Sequence, residues 1–213
     1  MPSRDSVDKV ISVYLASVCA ERFSYKGIEY FPKTIVVSPK LFRGFTCPNK
    51  CGGCCPKFTL DYLPQEKSAT NLLLRNIVVS DAEFELYSDL QMDNKDRHCR
   101  FLGKKTGRCD IYLERPFSCD FELIRFISYQ DKVILTQKLY GRGWAMRRVD
   151  GRVGALCTML PATAYTVKEV RRKLVRLREW ANHFGVKTRL DDVIAWVESG
   201  PHPHPLRLSP ARD

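Results

Sequence analysis

The chain has 213 residues, enough for one generous domain or two small ones. A 44% hydrophobic content supports a buried core and excludes wholesale disorder. Thirty-five Lys and Arg against 24 Asp and Glu leave a charge of +11, nine cysteines stand out, and no apolar run reaches the ~18 residues that a membrane span needs.

Val7, Val10, Ile11, Tyr14, Leu15 and Val18 fall at helical spacing, which predicts an N-terminal helix over about residues 4 to 22. Ser3 or Asp5 supplies a cap. Val10 to Ala20 imitates the core of a signal peptide, but Asp5 and Asp8 spoil the positive leader that such a peptide carries. The expectation is therefore a cytoplasmic protein in a reducing compartment. There, clustered cysteines are metal ligands or redox groups more often than disulfides. Nine is also an odd number, so disulfide pairing alone cannot account for all of them.

A β-like stretch follows from Gly27 to Val37, then cysteine-rich loop material from Cys47 to Pro56. Leu72 to Val79 reads as a strand or a short buried helix, and Asp81 to Met92 as helical. A hairpin is expected where Cys99-Arg-Phe-Leu and Cys109-Asp-Ile-Tyr flank the turn-rich Gly103 to Gly107. A second is expected from Phe121 to Ser128 and Val133 to Tyr140, around Gln130-Asp131-Lys132. Gly141, Gly143, Gly151 and Gly154 mark irregular chain. Thr166 with Glu169 forms a capping-box pattern ahead of an apolar stripe of Val170, Leu174, Leu177, Ala181 and Phe184, and Gly185 is the stop. Thr188 and Asp191 suggest a second cap, with Ile194 and Val197 on the buried face of a last short helix. Gly200 to Asp213, with its PHPHP run, reads as an extended or disordered tail.

The expected fold is α+β: a small cysteine-rich, metal-organised core with β-hairpins, flanked by the N-terminal helix and a C-terminal helical pair. The expected division is a cysteine-cluster metal-binding domain with the N-terminal helix (1–160), a basic helical segment packed on it (161–200) and a flexible tail (201–213).

The chemistry lies in the cysteines. Cys47, Cys51, Cys54 and Cys55 surround Gly52 and Gly53, and Cys99, Cys109 and Cys119 follow. Short spacings let one loop present several thiolates to one centre, and a bound cation removes their mutual repulsion. Glycines between ligands permit tight turns and let backbone N–H groups approach sulfur. Soft thiolates select zinc or iron–sulfur clusters. The vicinal Cys54-Cys55 pair is awkward for a zinc site of two C-x2-C pairs, and seven thiols exceed one four-ligand site. They suit one [4Fe–4S] cluster with further thiols nearby, or a second metal site. A plain zinc knuckle that only ties loops together is the simpler alternative. Cys19 reads as a core residue. Cys157 reads as core too, with the option of joining the site. His98 reads as structural, next to Cys99.

The opening Cys47-Pro-Asn-Lys-Cys51-Gly-Gly-Cys54-Cys55, followed in order by Cys99-Arg-Phe-Leu, Cys109-Asp-Ile-Tyr-Leu-Glu-Arg-Pro and Cys119, resembles the CxxCxxCC cysteine-cluster family. Its members are described as zinc- or iron-chelating proteins. The resemblance implies a zinc or iron–sulfur site built from Cys47, Cys51, Cys54, Cys55, Cys99, Cys109 and Cys119. Three residues rather than two separate Cys47 from Cys51, which leaves the role of Cys47 less defined than its neighbours'. Relatives that methylate flagellin lysines suggest an enzyme, but no glycine-rich methyl-donor motif is present. Nor is there a Ser/His/Asp set or an H-E-x-x-H.

Residues 141–213 carry 14 Lys and Arg against seven Asp and Glu. Lys168, Arg171, Arg172, Lys173, Arg176 and Arg178 sit on one helix, with Arg142, Arg147, Arg148 and Arg152 upstream. They offer a basic surface to nucleic acid or an acidic protein partner, or they are simply the solvated face opposite the apolar stripe. Three function classes follow: an iron–sulfur protein, redox-active or accessory; a structural zinc module presenting the basic helix to nucleic acid or protein; and a methylase-like modifying enzyme.

Overall fold

The computed structural model describes residues 10–42, 44–46, 60–62, 77–81, 86–89, 124–137, 158–160, 164–200 and 202–210. In chain order these form a helical stretch (a π-helical turn Val10–Leu15, then Ala16–Val18), strands β1 (Phe23–Tyr25), β2 (Ile28–Tyr30) and β3 (Thr34–Val37), and a 3-10 turn Pro39–Phe42. Strands β4 (Gly44–Thr46), β5 (Leu60–Tyr62), β6 (Ile77–Asp81), β7 (Leu86–Asp89), β8 (Ile124–Tyr129), β9 (Lys132–Gln137) and β10 (Thr158–Leu160) follow, then helices α1 (Ala164–His183) and α2 (Leu190–Glu198) and strand β11 (Leu206–Leu208). Helices and sheets coexist, as the α+β reading expects.

The chain divides into two compact units. One comprises Arg4–Gly44, Leu123–Lys138 and Pro161–Asp213, and the other Met1–Ser3, Phe45–Glu122 and Leu139–Leu160.

In the first unit a mixed four-stranded sheet runs in the order β11-β3-β9-β8. The β8–β9 hairpin forms where alternation places it, closing through Gln130-Asp131 with Tyr129 opposite Lys132. β3 joins β9 in parallel, with Ile35 opposite Val133 and Val37 opposite Leu135. All four of these side chains are buried. Because β-strand side chains alternate between faces, this register lines up one apolar face of the sheet. The expected tail contributes an extended segment: Leu206–Leu208 pairs antiparallel with β3 as an edge strand. Only three residues long, and alternating, it carries little apolar signal of its own.

Gly27 belongs to a turn and not to a strand. Lys26 and Gly27 both have positive φ (50° and 75°), and Tyr25 faces Ile28 across them. Two adjacent positive-φ residues make the type I′ connection that matches strand twist. Phe23 stacks on Tyr30 at 5.0 Å.

α1 buries its expected stripe. Leu174, Leu177 and Ala181 are fully enclosed, as is Trp180, with Val170 and Phe184 nearly so. Its end is a Schellman closure: Val186 N–H donates to Ala181 C=O (2.8 Å) and Gly185 N–H to Asn182 C=O (3.1 Å). Gly185 has φ +66°, open to glycine at little strain. The start differs from expectation. The helix begins at Ala164, so Thr166 lies inside its first turn, and the Glu169 carboxylate is held by Arg172 at 3.0 Å. A charged partner on the next turn takes the carboxylate that a capping box would use.

α2 buries Leu190, Val193, Ile194 and Val197, and it packs on α1. The cap is again not a box. Thr188 Oγ1 accepts from Leu190 N–H at 3.4 Å, while Asp191 reaches Arg178 on α1 at 2.6 Å. Arg171 pairs with Glu198. Positions seven apart on α1 thus meet positions seven apart on α2 in reverse order, which fixes the two helices as an antiparallel hairpin.

The N-terminal helix ends at Val18, four residues before its expected limit near 22. Ala20 N–H donates to Lys187 C=O (2.8 Å), and Arg189 N–H donates to Val18 C=O (3.1 Å). These bonds to the α1–α2 connection satisfy backbone groups that a longer helix would use itself, so Cys19 is already extended. Ile11, Leu15 and Val18 are buried, and the stretch meets α1.

In the second unit β5, β7 and β6 form a three-stranded antiparallel sheet, and β10 neighbours β4. Strand is the outcome for Ile77–Asp81, where the apolar run left strand and helix open. The helix expected over 81–92 is corrected: Leu86–Asp89 is a strand with partners on both sides. Cross-strand hydrogen bonding overrides a short stretch of local helical pattern, because propensity is a weak prior.

Candidate metal centre

Cys47, Cys51, Cys54, Cys55, Cys99, Cys109 and Cys119 all lie outside the described residues, as do His98 and Cys157. What is described is strands that flank them in sequence. β4 ends one residue before Cys47, β5 begins five residues after Cys55, and β10 begins one residue after Cys157. All seven motif cysteines fall in the Phe45–Glu122 segment of one compact unit. Among the described residues no three His, Cys, Asp or Glu side chains gather as a metal site.

Cys19 is the described cysteine, and it behaves as the core residue its helical setting suggests. It is 2% exposed and its Sγ–H donates to Ala16 C=O at 3.4 Å. Burial pushes the thiol up to about 11, against smaller opposing effects of a backbone hydrogen bond and Lys33. Desolvation disfavours the thiolate, the form that binds metal or attacks a substrate. Cys19 is therefore a neutral thiol at pH 7, packed in the unit that does not hold the motif cysteines.

The basic helix is partly spent on internal pairing. Arg171, Arg172 and Arg178 hold Glu198, Glu169 and Asp191 respectively, and Lys173 is 4% exposed. Lys168 is exposed and Arg176 half-buried. Helical spacing explains Lys173: it sits beside Leu174, four residues before Leu177 and seven before Trp180, on the flank of the apolar stripe. Lysine can bury its methylene stem along such a surface. Trp180 on the same helix is fully enclosed. Arg142, Arg147, Arg148 and Arg152 lie outside the described residues.

Two described histidines pack against aromatic rings near the helices. His183 packs against the Phe184 ring at 5.3 Å. His202 stacks on Trp196 at 4.8 Å, with Nε2 2.9 Å from Ser199 Oγ and 3.1 Å from Trp196 C=O. This Trp196–His202 contact, which also includes Phe42 (5.2 Å from Trp196), was not legible in the sequence. The only hint was a tryptophan on a short helix shortly before the PHPHP run.

No described helix is long and apolar enough to cross a membrane. No curated protein and no solved structure matches the chain. One family model does match, over residues 46–137, from the residue before Cys47 to the end of β9. Zinc and iron are also the two metals that a thiolate set of this kind selects. Residues 46–137 match the model of the CxxCxxCC family, described as a "putative zinc- or iron-chelating domain".

Proposed function

We propose that the chain holds an iron–sulfur cluster, most simply one [4Fe–4S] centre, on four of Cys47, Cys51, Cys54, Cys55, Cys99, Cys109 and Cys119. The observation that carries this is the donor set. Seven thiols and no histidine other than His98 lie within the matched residues, and two of the thiols are adjacent. An all-sulfur set in excess of four, with a vicinal pair, suits a cluster better than two C-x2-C zinc knuckles. The cluster supplies one-electron chemistry or a rigid structural anchor. The chain's own part is to present thiolates from glycine-bracketed turns and to shield them.

The test is anaerobic purification followed by visible absorption and elemental analysis. Iron with sulfide in equal amounts and a brown colour support the proposal. One or two equivalents of zinc in a colourless protein support the zinc module instead. A nucleic-acid or acidic-protein partner for the basic helix has less support, because three of its arginines already hold carboxylates and Lys173 is buried.

A further inference from the structure

We infer that the outer face of the β11-β3-β9-β8 sheet docks an amphipathic protein helix whose apolar stripe is edged by acidic side chains. This surface is independent of the metal reading. All four strands belong to one compact unit, and their register is continuous. Side chains alternate between the two faces of a strand, so the inner face takes Ile35, Val37, Val133, Leu135 and Ile124, all buried. Phe126 shares that face, and Tyr14 of the N-terminal helix meets its ring at 5.5 Å. On the outer face Val36, Ile134 and Ile127 stand opposite one another in a single row across β3, β9 and β8. Arg207 extends that row on β11. Lys132 and Tyr129 form the next row on one side, and Arg125 lies in the next row on the other.

The three aliphatic side chains of the row are only half-buried, and Tyr129 is 63% exposed. Arg125, Lys132 and Arg207 are exposed around them. No acidic residue occupies an outward position of the four strands, and among the described residues none of the three cations holds a carboxylate. Two strand spacings make the aliphatic row ~10 Å across, which matches the ~10 Å diameter of a helix. A sheet face of this kind is buried by a helix or by a second sheet. Charge complementarity then selects acidic side chains at the edges of the partner's apolar stripe. A second copy of the same face would set cations against cations. Single-stranded nucleic acid stacks its bases on aromatic rings, and Tyr129 is the one aromatic residue at these outward positions.

The experiment uses the full chain and a fluorescein-labelled designed helix as the probe. Its leucines follow the i, i+3, i+4, i+7 pattern, with glutamates on both flanks. The controls are a scrambled isomer, a form with lysine in place of each glutamate, and an oligothymidylate. Fluorescence anisotropy should show the glutamate-flanked helix binding at least about tenfold tighter than each control. Ile134→Glu should weaken that binding at least about tenfold. Arg125→Glu combined with Lys132→Glu changes two exposed positions and leaves the core untouched. That double variant should prefer the lysine-flanked helix instead. Lys168→Glu on α1 should change nothing, which separates this face from the basic helix. Binding no tighter than that of the scrambled isomer, or unaltered by the double charge reversal, overturns the inference. Preferential binding of the oligothymidylate also overturns it and makes the face a nucleic-acid platform.

Discussion

The two compact units differ in composition. The unit containing α1, α2 and the β11-β3-β9-β8 sheet encloses an apolar set of ordinary kind: Leu15, Val18, Ile35, Val37, Val133, Leu135, Leu174, Leu177, Trp180 and Val197, none more than 1% exposed. The other unit carries eight of the nine cysteines, and the stretch from Cys47 to Pro56 contains no Ala, Val, Leu, Ile, Met or aromatic side chain. A segment of that composition has little apolar surface to bury, and the proposed metal site would supply its ordering energy through metal–thiolate bonds. The one cysteine of the apolar unit shows the contrast within a single residue type: Cys19 is dry, neutral and hydrogen-bonded to its own helix.

The largest expected effect separates the units directly. Chelation should abolish hydrogen-exchange protection in β5, β6 and β7, where structural thiolate sites contribute on the order of 10 kcal/mol to folding. Amides of Leu174, Leu177 and Trp180 in α1 should change by less than about threefold. Equal loss in both units would show that they are one cooperative body, and no loss in either would remove metal from the account of stability.

Next comes the apolar unit. Leu177→Ala, at a fully buried position, should cost about 3 kcal/mol by denaturant unfolding. Metal content should be unchanged. A variant that unfolds no more easily than wild type would mean that α1 is not packed as described, and one that loses metal would couple the units.

Cys19 sharpens the comparison by pH. Burial raises its thiol from an ordinary 9.0 to about 11 in the folded state, which therefore holds the proton more tightly. The stabilisation is complete below pH 9 and is lost as pH rises towards 11. Between pH 8 and pH 11 the wild type should therefore lose up to roughly 2 kcal/mol more than Cys19→Ala, a figure reduced for residual solvent access. Parallel stability curves for the two proteins would show that the thiol is not desolvated.

The smallest effect concerns the ion pairs across α1 and α2. Arg178 and Asp191 are both accessible, so Arg178→Gln should cost no more than about 0.5 kcal/mol, less in high salt. A loss above about 2 kcal/mol would mean that these pairs, rather than the apolar seam, orient the helices.

Several features were legible in the residues because their causes are local. The stripe Val170, Leu174, Leu177, Ala181 and Phe184 predicted the buried face of α1, and Gly185 its end, since periodicity and a positive-φ stop act within a few residues. The β8–β9 hairpin followed from alternation around a short turn. Where expectation and structure part, a distant partner intervenes. Glu169 and Asp191 were read as capping residues but are held by arginines, one of them on another helix. Residues 81–92 read as helical until cross-strand partners made Leu86–Asp89 a strand.

The sequence by itself thus determined the cysteine spacing, the family match over residues 46–137 and the apolar face of α1, because residue type, spacing and helical period are properties of neighbouring residues. The tertiary structure alone decided that the N-terminal segment stops at Val18 against the α1–α2 connection, that Leu206–Leu208 completes a sheet with β3, that Lys173 is buried, and that β4 neighbours β10. Each of these joins segments far apart in the chain. Their hydrogen bonds and buried surface arise only once the chain has closed on itself, so no local pattern announces them.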